Sequence, residues 1–265
     1  MKKFLASIIA VVLAVSGLSV ISITANAATI FISGNYEYTV NSDDTVNIAG
    51  YKGIATDITI PSQILNKNVV KISANSLYNN STLTSVKIPN TIKVVGSMAF
   101  HNCTKLSKVT LPSNLTEIGY NAFEGTTALT TITIPKTVTT AGNNVFNGSA
   151  LKTAAIENGA TAVADNLFSN AKNLTKVTIP NTVKKVGSMS FYGCKSLSSV
   201  TLPNTLTEIG YSAFNGTTAL TTITIPKTVT KAGIDVFNGS ALKTATIENG
   251  ATAVADNLFS NAKNL

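Results

Sequence analysis

Leu106-Ser107-Lys108-Val109-Thr110-Leu111-Pro112, followed by Leu115, Ile118-Gly119 and Ala122-Phe123, is the stretch whose reading decides the fold. Val109 and Leu111 alternate with Lys108 and Thr110, the period of a half-buried strand with a polar outer face. Pro112 has no N–H to continue a ladder, so it ends the strand and turns the chain. Leu115 and Ile118 then point inward again, and Gly119 permits a further bend.

The same unit recurs from Leu83, Leu106, Leu129, Leu151, Leu174, Leu197, Leu220 and Leu242, in steps of 22 or 23 residues. An incomplete earlier unit, Ile58-Thr59-Ile60-Pro61, precedes them. This period lies in the range of leucine-rich repeats, where each coil stacks on its neighbours around a continuous core. The predicted fold is therefore a β-rich leucine-rich-repeat solenoid with coils of about 23 residues, each a short strand plus an irregular or short helical segment. All seven prolines follow such a strand. Phe100, Phe123, Phe146, Phe168, Phe191, Phe214, Phe237 and Phe259 occupy one position per coil, which predicts a buried column of rings. Leu83 and Leu174 stand 91 residues apart, and the four coils after each agree at roughly four positions in five, the mark of a block duplication. Glu157 and Glu248 stand where the other coils have Pro, so those coils are expected to bulge or bend.

The motif Ala-Phe-x-x-Cys-x-x-Leu-x-x-Val-x-Ile-Pro, seen from Ser190-Phe191 through Cys194, Leu197, Val200, Leu202 and Pro203, resembles the BspA-like branch of bacterial leucine-rich repeats. The likeness covers about residues 50 to 265 and is specific for fold. For function it implies a cell-surface or secreted protein that binds host proteins, other cells or matrix.

Outside the coils, Lys2 and Lys3, the apolar run Phe4 to Ile23 and the small residues Ala25-Asn26-Ala27 read as an export signal over residues 1–27, cut after Ala27. Residues 28–54 carry Tyr36, Tyr38 and Val40, a polar turn at Asn41 to Asp44, then Val46 and Ile48. That pattern predicts a β-hairpin capping the solenoid of residues 55–265. Leu265 would open another regular coil, so the array is expected to continue beyond it.

The chemistry of an active site is scarce. His101 is the sole histidine, and its duplicate position is Tyr192, so it reads as a coil-surface side chain. Cys103 and Cys194 lie four coils apart, roughly 20 Å at about 4.8 Å per layer, too far for a disulfide, and read as buried fillers. No metal cluster follows from one His and two distant Cys. Asp43-Asp44 suits a hairpin tip better than calcium. The formal charge of +8 comes with twenty lysines and no arginine, which disfavours nucleic-acid recognition by bidentate forks. No cofactor and no enzyme activity are expected.

What remains is the outward face of the main strands, rich in hydroxyls with interspersed lysines. Its candidate binding residues are Lys87, Lys108, Thr110, Thr131, Thr133, Lys176, Thr178, Thr201, Thr222 and Thr224. The sequence reading favours an adhesion module for extracellular proteins or glycans over a passive spacer or wall-associated stalk. Ice binding through the Thr columns is disfavoured because lysines interrupt them. The face lacks the Trp, Tyr and Arg anchors of tight hot spots, and Thr also suits a solvated strand by propensity alone.

Overall fold

A computed structural model describes residues 29–251 and 254–265. The expected export signal, residues 1–27, lies outside the described residues. Nine successive turns each contribute a main strand: Asp57–Thr59, Ser85–Lys87, Lys108–Thr110, Thr131–Ile134, Thr153–Ile156, Lys176–Thr178, Ser199–Val200, Thr222–Ile225 and Thr244–Ile247. Most neighbours pair in parallel, for example Ser85 with Lys108 and Thr153 with Lys176. A second series of two-residue strands, including Val94–Val95, Glu117–Ile118 and Thr140–Ala141, pairs in parallel on another side of the coil.

At the N-terminal end, Phe31–Ser33, Tyr36–Val40 and Val46–Tyr51 form an antiparallel meander, one strand more than the hairpin pattern suggested. Its last strand joins Lys67–Ile72 in parallel and so enters the second-strand series. At the tip, Asp43 Oδ1 accepts hydrogen bonds from the Thr45 N–H and hydroxyl, the turn role expected of it. These bonds favour the ionised carboxylate and hold its pKa below the ordinary value.

Among the described residues there is no helix, which corrects the expected short helical segment. The segment leading to each Phe is a pair of tight turns, and the cause is backbone handedness. Each coil places two residues four apart in the left-handed region: Asn121 and Gly125, Asn144 and Gly148, Asn166 and Asn170. Left-handed φ interrupts a right-handed helix, and Asn and Gly adopt it at least cost. The N–H groups freed from intrahelical bonding donate instead to the next coil, as from Asn121 to Asn143 O at 3.1 Å and from Phe123 to Val145 O at 2.9 Å. Much of the chain's asparagine thus serves the fold.

Stacked columns of equivalent side chains build the core. The rings from Phe100 to Phe237 are fully buried and stack face to face, with centroids 5.1 Å apart at the closest, and Phe259 is half-buried. Burying one such ring stabilises the fold by roughly 1.5 to 3 kcal/mol. Cys103 and Cys194 are buried free thiols, as expected, directed at Leu77 O and Phe168 O. Desolvation pushes the Cys103 thiol up to about 12 and raises that of Cys194 as well. A further column is glycine except at Ala164 and Ala255: a Cβ on Gly119 would stand 2.4 Å from Ser97 N, so those two coils approach closely only because Gly119 has no side chain.

Candidate functional site

Regular stacking fails at defined places, and those failures shape the surface. Between Lys108–Thr110 and Thr131–Ile134 no ladder joins the main strands, although the second strands of the same coils stay paired through Glu117 and Thr140. The junction is open only on its main-strand side. Val109 and Leu111 are half-buried there, whereas their counterparts Val86 and Ile88 are buried. The opening is a cleft of about 550 Å3 with Val109, Leu111 and Ile132 among its apolar walls and Thr110, Thr131 and Thr133 among its polar ones. After the strands Thr137 holds the two coils together, donating to Ser113 O and Leu115 O.

Ninety-one residues later the feature repeats. No ladder joins Ser199–Val200 to Thr222–Ile225, and a cleft of about 380 Å3 is lined by Val200, Thr201, Leu202, Thr222 and Thr224 among others. Thr228 repeats the bonds of Thr137, donating to Asn204 O and Leu206 O.

All ten candidate residues are exposed. The structure gathers Lys108, Thr110, Thr131, Thr133 and Thr178 at the first cleft and Thr201, Thr222 and Thr224 at the second. Lys87 and Lys176 are exposed on the same strand face but line neither cleft. The sequence reading missed the apolar walls, because Val109, Leu111 and Val200 obey the inward alternation of their intact neighbours. No pattern within the coil distinguishes them.

Glu157 and Glu248 do not bulge, contrary to expectation. Thr153–Ile156 pairs with Thr131–Ile134 in uninterrupted register, and the Glu157 N–H, which a proline would lack, donates to Ile134 O at 2.9 Å. The Glu157 carboxylate accepts from the Lys136 N–H at 3.1 Å, and Glu248 makes the equivalent bonds to Ile225 and Lys227. Glutamate here extends the ladder by one bond.

His101 lies on the turn side of its coil and is largely covered by its neighbours. Its ring stacks on Tyr78 with centroids 4.9 Å apart, and its Nε2 lies 3.4 Å from Glu124 Oε2, leaving the side chain 16% exposed. Among the described residues no three His, Cys, Asp or Glu side chains are grouped to hold a metal ion. No helix among them is long and apolar enough to cross a membrane.

A stack of parallel coils with a buried Phe spine and a broad exposed strand face defines a leucine-rich-repeat solenoid, a class that presents surface rather than enclosing a reaction chamber. The family model for the BspA type leucine rich repeat region matches residues 55–175 and 161–265, in six copies, and the chain belongs to that family. Among solved structures, a leucine-rich repeat protein from Bacteroides ovatus is 26% identical with a TM-score of 0.57, covering 89% of this chain and 69% of that one. A leucine-rich repeat protein of T. pallidum is also 26% identical, with a TM-score of 0.55 over 77% of this chain and 86% of its own. A leucine rich cell surface protein from Faecalibacterium prausnitzii shares the fold at 24% identity and a TM-score of 0.55, over 91% and 94% of the two chains. No curated protein matches the sequence.

Proposed function

We propose that this chain is an exported interaction module that holds an extracellular protein partner on its main-strand face, engaging it at the two clefts. The observation that carries the reading is the recurrence, 91 residues apart, of an opening with the same apolar floor and the same threonine rim. Two equivalent sites on one rigid rod bind a partner with two copies of an epitope far better than either does alone, because the second contact is intramolecular. Lys108 at the first cleft adds a positive charge that Ser199 lacks at the second, so the two sites are related without being identical. The family's implication of surface proteins that bind other proteins agrees with this reading. Residues 1–27 serve as the export signal and residues 28–54 as the cap in this reading. The chemistry in this reading is binding rather than catalysis: the carboxylates that line the clefts, Glu157 and Glu248, accept hydrogen bonds from the Lys136 and Lys227 N–H groups and so serve the ladder.

The test replaces Thr110, Thr133, Thr201 and Thr224 together with Glu and measures binding of the exported chain to immobilised extracellular-matrix and cell-surface proteins. Loss of binding with an unchanged unfolding midpoint is the expected result. Undiminished binding by the quadruple variant, with loss caused by a charge patch on the turn segments, would move the interface to another face. N-terminal sequencing of the exported chain should begin at Ala28.

A further inference from the structure

The side chain after each core Phe forms its own column along the turn segments: Tyr78, which follows Leu77, then His101, Glu124, Asn147, the buried Ser169, Tyr192, Asn215 and Asn238. Its two halves behave differently. In the first half, Tyr78 stacks on His101, His101 meets Glu124, and Asn147 Nδ2 donates to Glu124 Oε1 at 2.7 Å, so the ladder is closed upon itself. In the second half Ser169 stands where Tyr78 stood, Tyr192 replaces His101 and Asn215 replaces Glu124. The result is a groove of about 510 Å3 that runs from Asn144 across five coils to Asp235 and Asn238.

We infer that this groove is a binding site for a neutral, extended oligosaccharide. Tyr192 and Tyr211 line it and remain 38% and 43% exposed, offering aromatic faces of the kind that pack against the C–H face of a pyranose ring. Between and beyond them Asn144, Asn215 and Asn238 present carboxamides; Asn144 Oδ1 accepts from Asn170 Nδ2 and Asn215 Nδ2 donates to Ser212 Oγ, and the remaining donors and lone pairs suit the paired hydroxyls of a sugar. Asp235 is the only charged side chain among the lining residues, so the groove has no means of attracting a polyanion. Five coils at about 4.8 Å per layer span roughly 20 Å, and one coil spacing is comparable with the advance of one sugar in an extended chain. Met189 and Ser212, both lining the groove, hold left-handed φ of 52° and 51° in a column otherwise filled by Asn or Asp, apart from Met98. Ser212 stands where the first block has Asn121, which shortens the side chain beside Tyr211.

The block duplication supplies a variant known to suit the coil. Y192H combined with N215E rebuilds the His–Glu–Asn part of the first block's ladder inside the second, with Ser169 still standing in place of Tyr78. The exported chain is titrated with linear hexasaccharides of glucose and of N-acetylglucosamine and with a sulfated hexasaccharide, followed by calorimetry and by tyrosine fluorescence, which no tryptophan obscures. At least one neutral hexasaccharide is expected to bind with little salt dependence. Y192A and Y211A should each weaken it by about tenfold, the loss one well-packed aromatic contact supplies, while Y120A, the first-block counterpart of Y211A, leaves it unchanged. Y192H/N215E should abolish binding without moving the unfolding midpoint. Binding by neither neutral sugar overturns the inference, as does equal binding by Y192H/N215E. Salt-sensitive binding of the sulfated probe alone would also overturn it, placing recognition on the lysines. None of these outcomes depends on the main-strand clefts, so the groove can fail while the protein-binding reading stands.

Discussion

The coil that begins at Leu129 is flanked by two junctions that fail in opposite ways. Toward the coil of Leu106 it is closed at the turn segments and second strands, with Phe123 and Phe146 stacked at 5.6 Å and 9°, and open on the main-strand side. Toward the coil of Leu151 the main strands share four in-register pairs, but the second strands are unpaired and Phe146 and Phe168 lie 5.9 Å apart at 22°. A single residue explains the second opening. Ala164 occupies the glycine column, and where glycine stands a Cβ would meet the preceding coil's backbone, 2.4 Å from Tyr120 N in the case of Gly142. One methyl group holds the two coils apart on that side. The ring geometry recurs between Phe237 and Phe259, again at 5.9 Å and 22°, where Ala255 holds the equivalent place. Cohesion in this solenoid is thus divided among separate ladders, and a junction can release one side while the other holds.

The largest effect expected is from Phe123→Ala at the closed side of the first junction, about 3 to 5 kcal/mol in urea unfolding, because the ring is fully buried between stacked neighbours. A loss below about 1 kcal/mol would mean that the coils collapse onto the gap. Next comes Gly119→Ala, which drives a methyl into Ser97 backbone and should cost about 1 to 3 kcal/mol while opening a junction that is now closed. Hydrogen exchange should quicken at Met98 and Phe100, whose N–H groups donate across that junction to Tyr120 O and Ala122 O.

The reverse substitution sharpens the comparison. Ala164→Gly removes the spacer, so exchange at Asn144 and Phe146 should slow as the turn ladder forms. Its net change in stability should be under about 1 kcal/mol, since the new bonds are offset by the entropy of glycine. Unaltered exchange at both sites would show that the methyl is not what separates these coils. The smallest effect at neutral pH concerns the thiols: native Cys103 and Cys194 should resist iodoacetamide, read by mass spectrometry, until the chain unfolds. Burial raises the Cys103 thiol from 9.0 to about 12, so the folded state opposes thiolate formation. Stability from this group is intact below pH 9 and declines as pH rises toward 12, a decline that Cys103→Ala should reduce.

The repeating pattern of Leu, Val, Pro, Gly and Phe, read alone, determined the coil, its strand, its buried ring and the side on which threonines face water. Such features depend on burial that each coil repeats identically, and repetition makes them visible. It did not determine the turn segments, because Asn121 and Gly125 reveal their left-handed φ only through the bonds their backbone makes to the next coil. Nor did it show that Glu157 extends a ladder rather than breaking it, since the partner atoms belong to Ile134 and Lys136, more than twenty residues earlier. The clefts and the groove were decided by tertiary structure alone. The clefts are places where main strands of nearly the same sequence stay unpaired, and the groove follows from whether Glu124 or Asn215 stands beside its neighbour in the column.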